Sequence, residues 1–144
     1  MGDESLRPRL CTIKKWSDFP GYGFNLHAER GRAGQYIGKV DDDSPAQAAG
    51  MKEGDRIVEV EGVNIGNENH AQVVTRIKAA GESVTMLLVD SETDNHFKSE
   101  KIVVSSDMSE VLRLETPPRP GTEEEKGAHI IYSLTTDFML YYAI

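Results

Sequence analysis

Apolar and polar residues alternate with a period of two through much of the first 90 positions, a pattern typical of half-buried β-strands. In the first such run, Leu10 and Thr12 fall on one side and Cys11 and Ile13 on the other. Glycine-rich or charged connections separate the runs, so the strands are predicted to be short and joined by tight loops. The predicted strands are residues 9–15, 24–28, 35–40, 55–60 and 84–89, with a brief piece at 63–65.

Two stretches change to helical spacing. Ser44 followed by Pro45 is a strong helix start, and Gly50 is a typical helix end, which predicts a short helix over 45–49. The longest helical pattern covers 69–80 and ends before Gly81. With no βαβ rhythm and no repeat, the prediction is a mainly β fold with two helices (α+β). Its form is a partly open β-barrel or sandwich of five to six strands capped by the two helices.

The longer helix has one face that matters for function. His70, Val74 and Ile77 lie at i, i+4 and i+7 and share that face, whereas Val73 and Ala80 are expected to point into the core. A histidine at the head of an aliphatic stripe has two interpretations. It is a helix-end residue with a solvated ring, or it is a hydrogen-bonding group beside an apolar pocket.

A glycine turn precedes the second strand, in the sequence Pro20-Gly21-Tyr22-Gly23-Phe24. Two glycines one residue apart allow backbone N–H groups to point the same way, and such a nest cradles an anion. A loop of this kind followed directly by a strand suits the end of an extended peptide, with its carboxylate in the loop. The alternative is an ordinary turn before a strand.

The strand after that turn supplies the other wall of a pocket. Phe24 and Leu26 alternate with Asn25 and His27, so they share one face of the strand. If the 69–80 helix packs beside this strand, its aliphatic stripe meets that face. The apolar pocket would then be lined by Phe24, Leu26, Val74 and Ile77, with His70 in reach of a ligand hydroxyl.

Composition and charge exclude several classes of function. The net charge of −8 over 144 residues argues against nucleic-acid binding, which needs clustered Lys and Arg. Residues 1–89 carry 13 acids and 11 bases, and residues 90–144 carry 11 acids and 5 bases, so the second part is an acidic extension. One cysteine allows no internal disulfide. Without an apolar leader or a run of ~20 apolar residues, a soluble cytoplasmic protein is expected.

These motifs together resemble a PDZ domain over about residues 9–98. The resemblance rests on the Gly21–Phe24 turn, Ser44-Pro45-Ala46 with Ala49-Gly50, Gly54-Asp55-Arg56-Ile57, and His70 with Val74. Finer detail is similar to the PDZ domains of the sodium–hydrogen exchanger regulatory factors (the NHERF scaffold family). That similarity is carried by Arg9-Leu10-Cys11, Tyr22-Gly23-Phe24-Asn25-Leu26-His27, residues 55–60 and residues 90–94.

The resemblance implies recognition of a partner protein's C-terminus by strand addition. Backbone amides of Tyr22, Gly23 and Phe24 would bind the carboxylate. His70 would hydrogen-bond a Ser or Thr two residues before the end, the class I preference. The last, aliphatic side chain would be enclosed by Phe24, Leu26, Val74 and Ile77.

Other positions carried over by the resemblance concern specificity. Asn25 and His27 would touch ligand residues further upstream, and Asp41 would pair with a basic penultimate residue. The sequence also departs from the family. Gly38 stands where a related domain carries a ligand-contacting Arg, and the loop 16–20 is longer and is expected to carry an exposed aromatic.

The chain is predicted to divide into four parts: a flexible extension (1–8), the PDZ domain (9–98), an acidic extension with a linker (99–126) and an apolar segment (127–144). Within and beside the extension we expect a helical turn at 91–97, a short strand at 102–104, a brief helix at 107–114 and a linker from 116. The apolar segment has two interpretations. It is a strand-prone piece that packs on the domain or aggregates, or a ligand-like tail ending in Ile144.

Two rival functions compete with the binding of C-termini. Catalysis is not predicted, because there is no G-x-S-x-G elbow and the histidines lack metal-ligand spacing; no cofactor or metal is expected. A lipid-surface module would use Lys14, Lys15, Arg30 and Arg32. The prediction is a scaffold module that binds C-terminal tails of membrane transporters, channels or receptors at the inner face of the plasma membrane. A lipid-binding module, or a domain that self-associates through Ile144, is the alternative.

Overall fold

The computed structural model describes residues 6–119 and 139–144. Within these residues the strands form one mixed sheet in the order β7-β1-β6-β4-β3-β2-β8, with β5 paired to β4. All neighbours are antiparallel except β1 and β7. The strands are β1 Arg9–Lys14, β2 Phe24–Glu29, β3 Tyr36–Val40, β4 Arg56–Val60, β5 Val63–Asn64, β6 Ser83–Val89, β7 Leu112–Glu115 and β8 Met139–Ala143. The helices are α1 Pro45–Ala48, α2 His70–Ala79 and α3 Ser91–Ser99.

The mainly β, α+β fold predicted from the alternation is confirmed, and the described residues form eight strands and three helices rather than five to six strands and two helices. Cys11 and Ile13 of β1 are fully buried, as are Val73 and Ile77 of α2, so both periodicities mark the inward faces correctly. These side chains belong to one core that α2 and the sheet enclose. Ala80, predicted to be in the core, is partly buried against it.

The helix starts follow from their capping residues. The Ser44 hydroxyl accepts a hydrogen bond from the Gln47 amide at 3.1 Å, and Pro45 begins α1. Asn69 and Gln72 form a reciprocal capping box at the start of α2, which satisfies two otherwise unpaired amides. The predicted bounds are close to the observed ones. Helix α1 ends one residue earlier than the predicted 45–49, and α2 is one residue shorter at each end than the predicted 69–80.

A second, smaller core lies on the opposite face of β6. Leu87 and Val89 point away from the main core and pack with Phe97 of α3 and with Val104 and Val111 of the extension. Residues of the extension that were predicted to be an acidic, separate region therefore complete this face of the domain. α3 runs to Ser99, beyond the predicted turn at 91–97, and Asp90 caps it through the Thr93 amide at 2.8 Å.

Three predictions in the extension are wrong. Residues 102–104 are irregular rather than a strand, and 107–114 contains turns and the start of β7 rather than a helix. The capping signal at Asp107 is instead used locally, because the Ser105 hydroxyl bonds its carboxylate. The predicted linker also begins too early, since Thr116 is buried. Residues 1–5 of the flexible extension, 120–126 of the linker and 127–138 of the apolar segment lie outside the described residues.

A buried ion pair fixes the start of β1. The Arg9 guanidinium donates to the Asp55 carboxylate at 2.9 and 2.5 Å and to the Gly50 carbonyl oxygen at 2.7 Å. Burial opposes the charge of Arg9, but the hydrogen bond and the negative charge of Asp55 raise its pKa. Asp55 also accepts from the Lys52 amide, so both carboxylate oxygens are satisfied.

In the part of the chain that the structure describes, no helix is long and apolar enough to cross a membrane.

Candidate functional site

The glycine turn before β2 adopts a conformation that only glycine accepts easily. Gly21 and Gly23 have φ angles of +73° and +97°. A Cβ on Gly23 would lie 2.3 Å from the Ser44 Cβ, so a side chain has no room there. We call residues 20–24 the carboxylate loop, because of what its amides contact.

Three amides of the carboxylate loop converge on one oxygen. The N–H groups of Tyr22, Gly23 and Phe24 donate to the terminal carboxyl oxygen of Ile144, with N···O distances of 3.3, 3.0 and 3.4 Å. They are the three amides to which the family resemblance assigned the binding of a carboxylate. Their convergence makes the loop a cradle for an anion, as expected of a nest of successive N–H groups. In this structure the anion is the chain's own C-terminus.

The chain that ends in the loop also adds a strand to the sheet. β8 runs antiparallel to β2, with Asn25 opposite Ala143 and Glu29 opposite Met139. The Ile144 amide donates to the Phe24 carbonyl oxygen at 2.8 Å, which continues the ladder to the last residue. Residues 139–144 therefore fit both interpretations of the apolar segment: they form a strand that packs on the domain, and that strand places a terminal carboxyl oxygen in the carboxylate loop. We call the space between β2 and α2 the groove.

The predicted apolar pocket residues are brought together. Val74 and Ile77 of α2 and Phe24 and Leu26 of β2 are all buried in the main core. Ile144 is partly buried and packs against that same cluster. The arrangement suits an aliphatic side chain at the end of a bound peptide.

Tyr22 anchors the carboxylate loop to α2, a role that the sequence analysis did not identify. Its hydroxyl donates to the Gly81 carbonyl oxygen at 2.6 Å, just beyond the end of the helix. Burial of the ring, followed by the charges of Glu61 and Glu82, raises the pKa of Tyr22 to about 12. The hydroxyl thus remains a donor, and the loop stays fixed relative to the helix that forms the other wall of the groove.

The first residue of α2 is His70, and a buried amide orients its ring. Nδ1 lies 3.0 Å from the Gln35 side-chain oxygen, and an amide oxygen only accepts hydrogen bonds. Nδ1 therefore carries the proton, and Nε2 is the acceptor of the neutral ring. Burial lowers the pKa of His70, and the nearby His27 adds to the effect, so the neutral form is favoured.

The upstream candidates have different surroundings. Asn25 is buried, and its side-chain oxygen accepts from the Lys39 amide at 2.7 Å across the irregularity in the β2–β3 pairing. Its side chain holds β3, while its main chain lies opposite Ala143. His27 lies opposite Tyr141, and its Nε2 is 3.0 Å from the Glu29 carboxylate, a hydrogen bond that lowers the pKa of Glu29.

Asp41 lies behind the carboxylate loop. Its amide donates to the Gly23 carbonyl oxygen at 2.8 Å, and its own carbonyl oxygen accepts from the Ser44 hydroxyl at 2.8 Å. These main-chain bonds support the loop. The pairing of Asp41 with a basic penultimate ligand residue stays a prediction.

The long loop 16–20 does not present an exposed aromatic, which corrects that expectation. Trp16 is half-buried, its indole N–H donates to the Pro117 carbonyl oxygen at 3.0 Å, and the Arg119 guanidinium lies 4.3 Å from its ring centre. Phe19 is buried. The residues that cover the loop come from the C-terminal extension, about a hundred positions away, so no local pattern pointed to them.

Cations considered for a lipid surface are spread among other partners. Lys14 pairs with Glu115 at 3.2 Å, and Lys15 lies 5.1 Å from the centre of the Tyr22 ring. Arg32 pairs with Glu29 at 3.5 Å. Among residues 6–119 and 139–144, no group of three or more His, Cys, Asp or Glu side chains is placed to hold a metal ion.

Comparison with known proteins agrees with the resemblance noted in the sequence. The sequence profile of the PDZ domain matches residues 17–89, half of the chain. The chain is 48% identical over 107 residues to Na(+)/H(+) exchange regulatory cofactor NHE-RF2 of Oryctolagus cuniculus, covering 74% of this chain and 33% of that protein. It is 50% identical over 103 residues to NHE-RF1 of Gallus gallus, covering 72% and 30%.

A more distant relative is the Na(+)/H(+) exchange regulatory cofactor-like protein nrfl-1 of Caenorhabditis elegans, 42% identical over 107 residues. That match covers 74% of this chain and 23% of the nematode protein. The chain thus spans about a third or less of the length of the curated relatives it matches.

Proposed function

Because the chain belongs to the PDZ domain family and is a protein-interaction module, we propose that it binds the free C-termini of partner proteins by strand addition. The observation that supports this most directly is the convergence of the Tyr22, Gly23 and Phe24 amides on a carboxyl oxygen at the start of β2. Three donors directed at one position favour an anionic acceptor, because hydrogen bonds to a charged oxygen are stronger than those to a neutral one. An extended peptide that ends in a free carboxylate satisfies the loop and the β2 edge together.

The ligand preference proposed is class I, Ser/Thr-x-aliphatic at the C-terminus. The apolar pocket takes the last side chain, and His70 reads the residue two positions earlier. Since the Gln35 contact puts the ring proton on Nδ1, a ligand hydroxyl would donate to Nε2. A Ser or Thr can make that bond and a Val of similar shape cannot.

The size of these contacts indicates a reversible complex. Burying one aliphatic side chain contributes about 1.5–3 kcal/mol, and one neutral hydrogen bond about 0.5–1.5 kcal/mol. The main-chain bonds must also offset the lost freedom of two molecules and of the ligand chain. Micromolar affinity, about −8 kcal/mol, is the expected order of magnitude.

Calorimetry on the full chain with matched peptides tests the proposal. A peptide ending in Thr-x-Leu with a free carboxylate should bind at micromolar affinity, and the same peptide with a C-terminal amide should not bind measurably. The amide removes the charge that the three N–H groups are directed at. Equal affinities for the two peptides would remove the carboxylate loop from the mechanism.

A double-mutant cycle tests the class I preference. His70→Ala should weaken a Thr-containing peptide more than the same peptide with Val two residues from its end, with a coupling of ~1 kcal/mol. A cycle without coupling would make His70 a helix-end residue and leave the strand addition intact.

We further propose that the partners are membrane transporters, channels or receptors, and that they bring the protein to the inner face of the plasma membrane. The names of the matched relatives, regulatory cofactors of Na(+)/H(+) exchange, support this choice. An array of C-terminal peptides compared with sedimentation on anionic vesicles tests it. Selective binding to Ser/Thr-x-aliphatic tails is expected, and vesicle binding without peptide binding would favour the lipid-surface alternative.

The chain's own C-terminus is a second candidate ligand, supported by the Ile144 contacts in the carboxylate loop. We propose occupancy within one molecule, because β8 pairs with β2 of its own chain. Sedimentation velocity over a hundredfold concentration range distinguishes this from exchange between neighbours. A constant monomer is expected, and dimers that disappear in the Ile144→Asp variant would show that the tail binds a second copy instead.

A further inference from the structure

Residues 112–119, here called the strap, join the far edge of the sheet to the base of the carboxylate loop. The Thr116 amide donates to the Thr12 carbonyl oxygen at 2.9 Å, and its hydroxyl accepts from the Lys14 amide at 3.0 Å. The same hydroxyl donates to the Pro45 carbonyl oxygen at 2.9 Å. The strap is therefore bonded to β1 and to α1 at once, outside the region that the family profile covers.

Arg119, at the end of the strap, connects two separate segments. Its guanidinium donates to the Asp18 carboxylate at 3.1 and 2.9 Å and to the Asp43 carboxylate at 2.8 Å. It also stacks over the Trp16 ring at 4.3 Å. The side chain is only 15% exposed, and the carboxylate partners raise its pKa against the effect of burial. A flat, forked cation is required to make all three contacts together.

The two segments that Arg119 connects are the walls of the carboxylate loop. Phe19, next to Asp18, and Ser44, next to Asp43, are the side chains that a Cβ on Gly23 would meet, at 3.2 and 2.3 Å. Asp43 has a φ of +56°, a left-handed conformation that needs support from its neighbours. Arg119 supplies such support through its bond to the Asp43 carboxylate.

We propose that Arg119 is a positioning residue for C-terminal peptide recognition. By holding loop 16–20 against the turn before α1, it fixes the distance between the two walls and so the direction of the Tyr22, Gly23 and Phe24 amides. The inference rests on the proposed function. It adds that the affinity of the groove depends on a residue thirty positions beyond the end of the matched region.

The experiment uses the full chain carrying Ile144→Asp, so that an aspartate replaces the tail's aliphatic end. Arg119→Ala and Arg119→Lys are compared with a matched control, Arg113→Ala, which removes an exposed strap arginine bonded to the Ser106 carbonyl oxygen at 3.2 Å. The probe is a Thr-x-Leu peptide with a free carboxylate. Arg119→Ala should lower its affinity on the order of tenfold, Arg119→Lys by less, and Arg113→Ala not at all.

A second readout needs no peptide and separates this inference from the proposed function. In NMR spectra of the unliganded protein, the Tyr22, Gly23 and Phe24 amides should shift in Arg119→Ala and stay in place in Arg113→Ala. If the parent chain binds no peptide, the proposed function fails while the amide shifts still test Arg119. Should Arg119→Ala not fold, Arg119→Lys provides both readouts. Unchanged amide shifts, or unchanged peptide affinity in a parent that binds, would overturn the positioning role.

Discussion

Both edges of the sheet are covered by strands from beyond α3, but they are covered in different ways. On β1, β7 pairs in parallel, its Leu114 packs against the main core, and the following Thr116 is buried with three hydrogen bonds. On β2, the contacts described for β8 are a main-chain ladder, the carboxylate bonds and the partly buried Ile144.

This difference indicates which edge of the sheet another chain can occupy. Side chains specific to this sequence hold β7, so another chain could not replace it without losing buried contacts. Any extended peptide with a free carboxylate offers the contacts that β8 makes through its main chain. We infer that the β1 edge is structural and the β2 edge is the binding edge. Substitutions at each edge test that contrast.

The β1 edge should be most sensitive at its buried ion pair. Asp55→Ala leaves the Arg9 guanidinium buried without its carboxylate, and the free energy of unfolding should fall by about 3–5 kcal/mol. Urea titration measures this. Glu115→Ala, which removes only the exposed pair with Lys14, is the control and should change it by about 0–1 kcal/mol. Equal effects of the two variants would mean that the buried pair contributes no more than a surface one.

Thr116→Val tests the strap itself. Valine keeps the shape of threonine but leaves the Lys14 amide without its acceptor, so the free energy of unfolding should fall by about 1–3 kcal/mol. Thr12→Val, which breaks a half-buried hydrogen bond between the Thr12 and Thr85 hydroxyls at 3.1 Å, is a matched control with a smaller expected loss. If urea titration gave Thr116→Val the same free energy of unfolding as the parent, β7 would be held no more firmly than β8.

Local patterns in the sequence predicted most of the binding edge. The two glycines require left-handed backbone, the alternation of Phe24 and Leu26 gives the strand face, and the i, i+4, i+7 spacing from His70 gives the helix face. Each signal spans fewer than ten residues. The pocket residues could therefore be named in advance, because the family resemblance supplied the one long-range fact needed, that α2 lies beside β2.

The parts that sequence reasoning missed depend on partners far apart in the chain. Gln35 reaches His70 across 35 positions, and Thr116 and Arg119 reach Lys14 and Asp18 across 102 and 101. At 107–114 a local helix-capping signal indicated the wrong element, because pairing with the open edge of β1 and packing of Leu114 outweigh a weak local preference. Periodicity reports which face is buried, not what covers it.

The binding edge should respond to pH through His70. Its pKa in the folded protein lies below the ordinary value of about 6.5, so the folded state binds fewer protons there than the unfolded state. Stability from this group is complete above pH 6.5 and is lost as pH falls through that value towards the folded pKa. Protonation of Nε2 also removes the acceptor for a ligand hydroxyl.

Peptide titrations between pH 8 and 5 measure the second effect. The advantage of a Thr peptide over its Val counterpart, ~1 kcal/mol, should be constant above pH 6.5 and disappear below the pKa of His70. His27→Gln removes the neighbouring ring that lowers this pKa, so the loss should begin at higher pH. An advantage that persists once NMR shows the His70 ring to be protonated would mean that the hydroxyl does not donate to Nε2.

The smallest effect should come from releasing β8. Ile144→Asp places a charge where an aliphatic side chain packs against the core, so the tail should leave the groove while β7 stays paired. If both the effective concentration of the tail and its own dissociation constant are millimolar, the tail occupies about half of the grooves, and its release strengthens an outside peptide about twofold. The free energy of unfolding should change by less than in Thr116→Val, because β8 is held by contacts that water or another peptide can replace. Calorimetry on the parent and the variant measures the peptide affinity, and urea titration measures the free energy of unfolding. The control is Ala143→Ser, which keeps the terminal isoleucine.

Unchanged peptide affinity with a large loss of stability would reverse the contrast between the edges and make β8 a structural strand like β7.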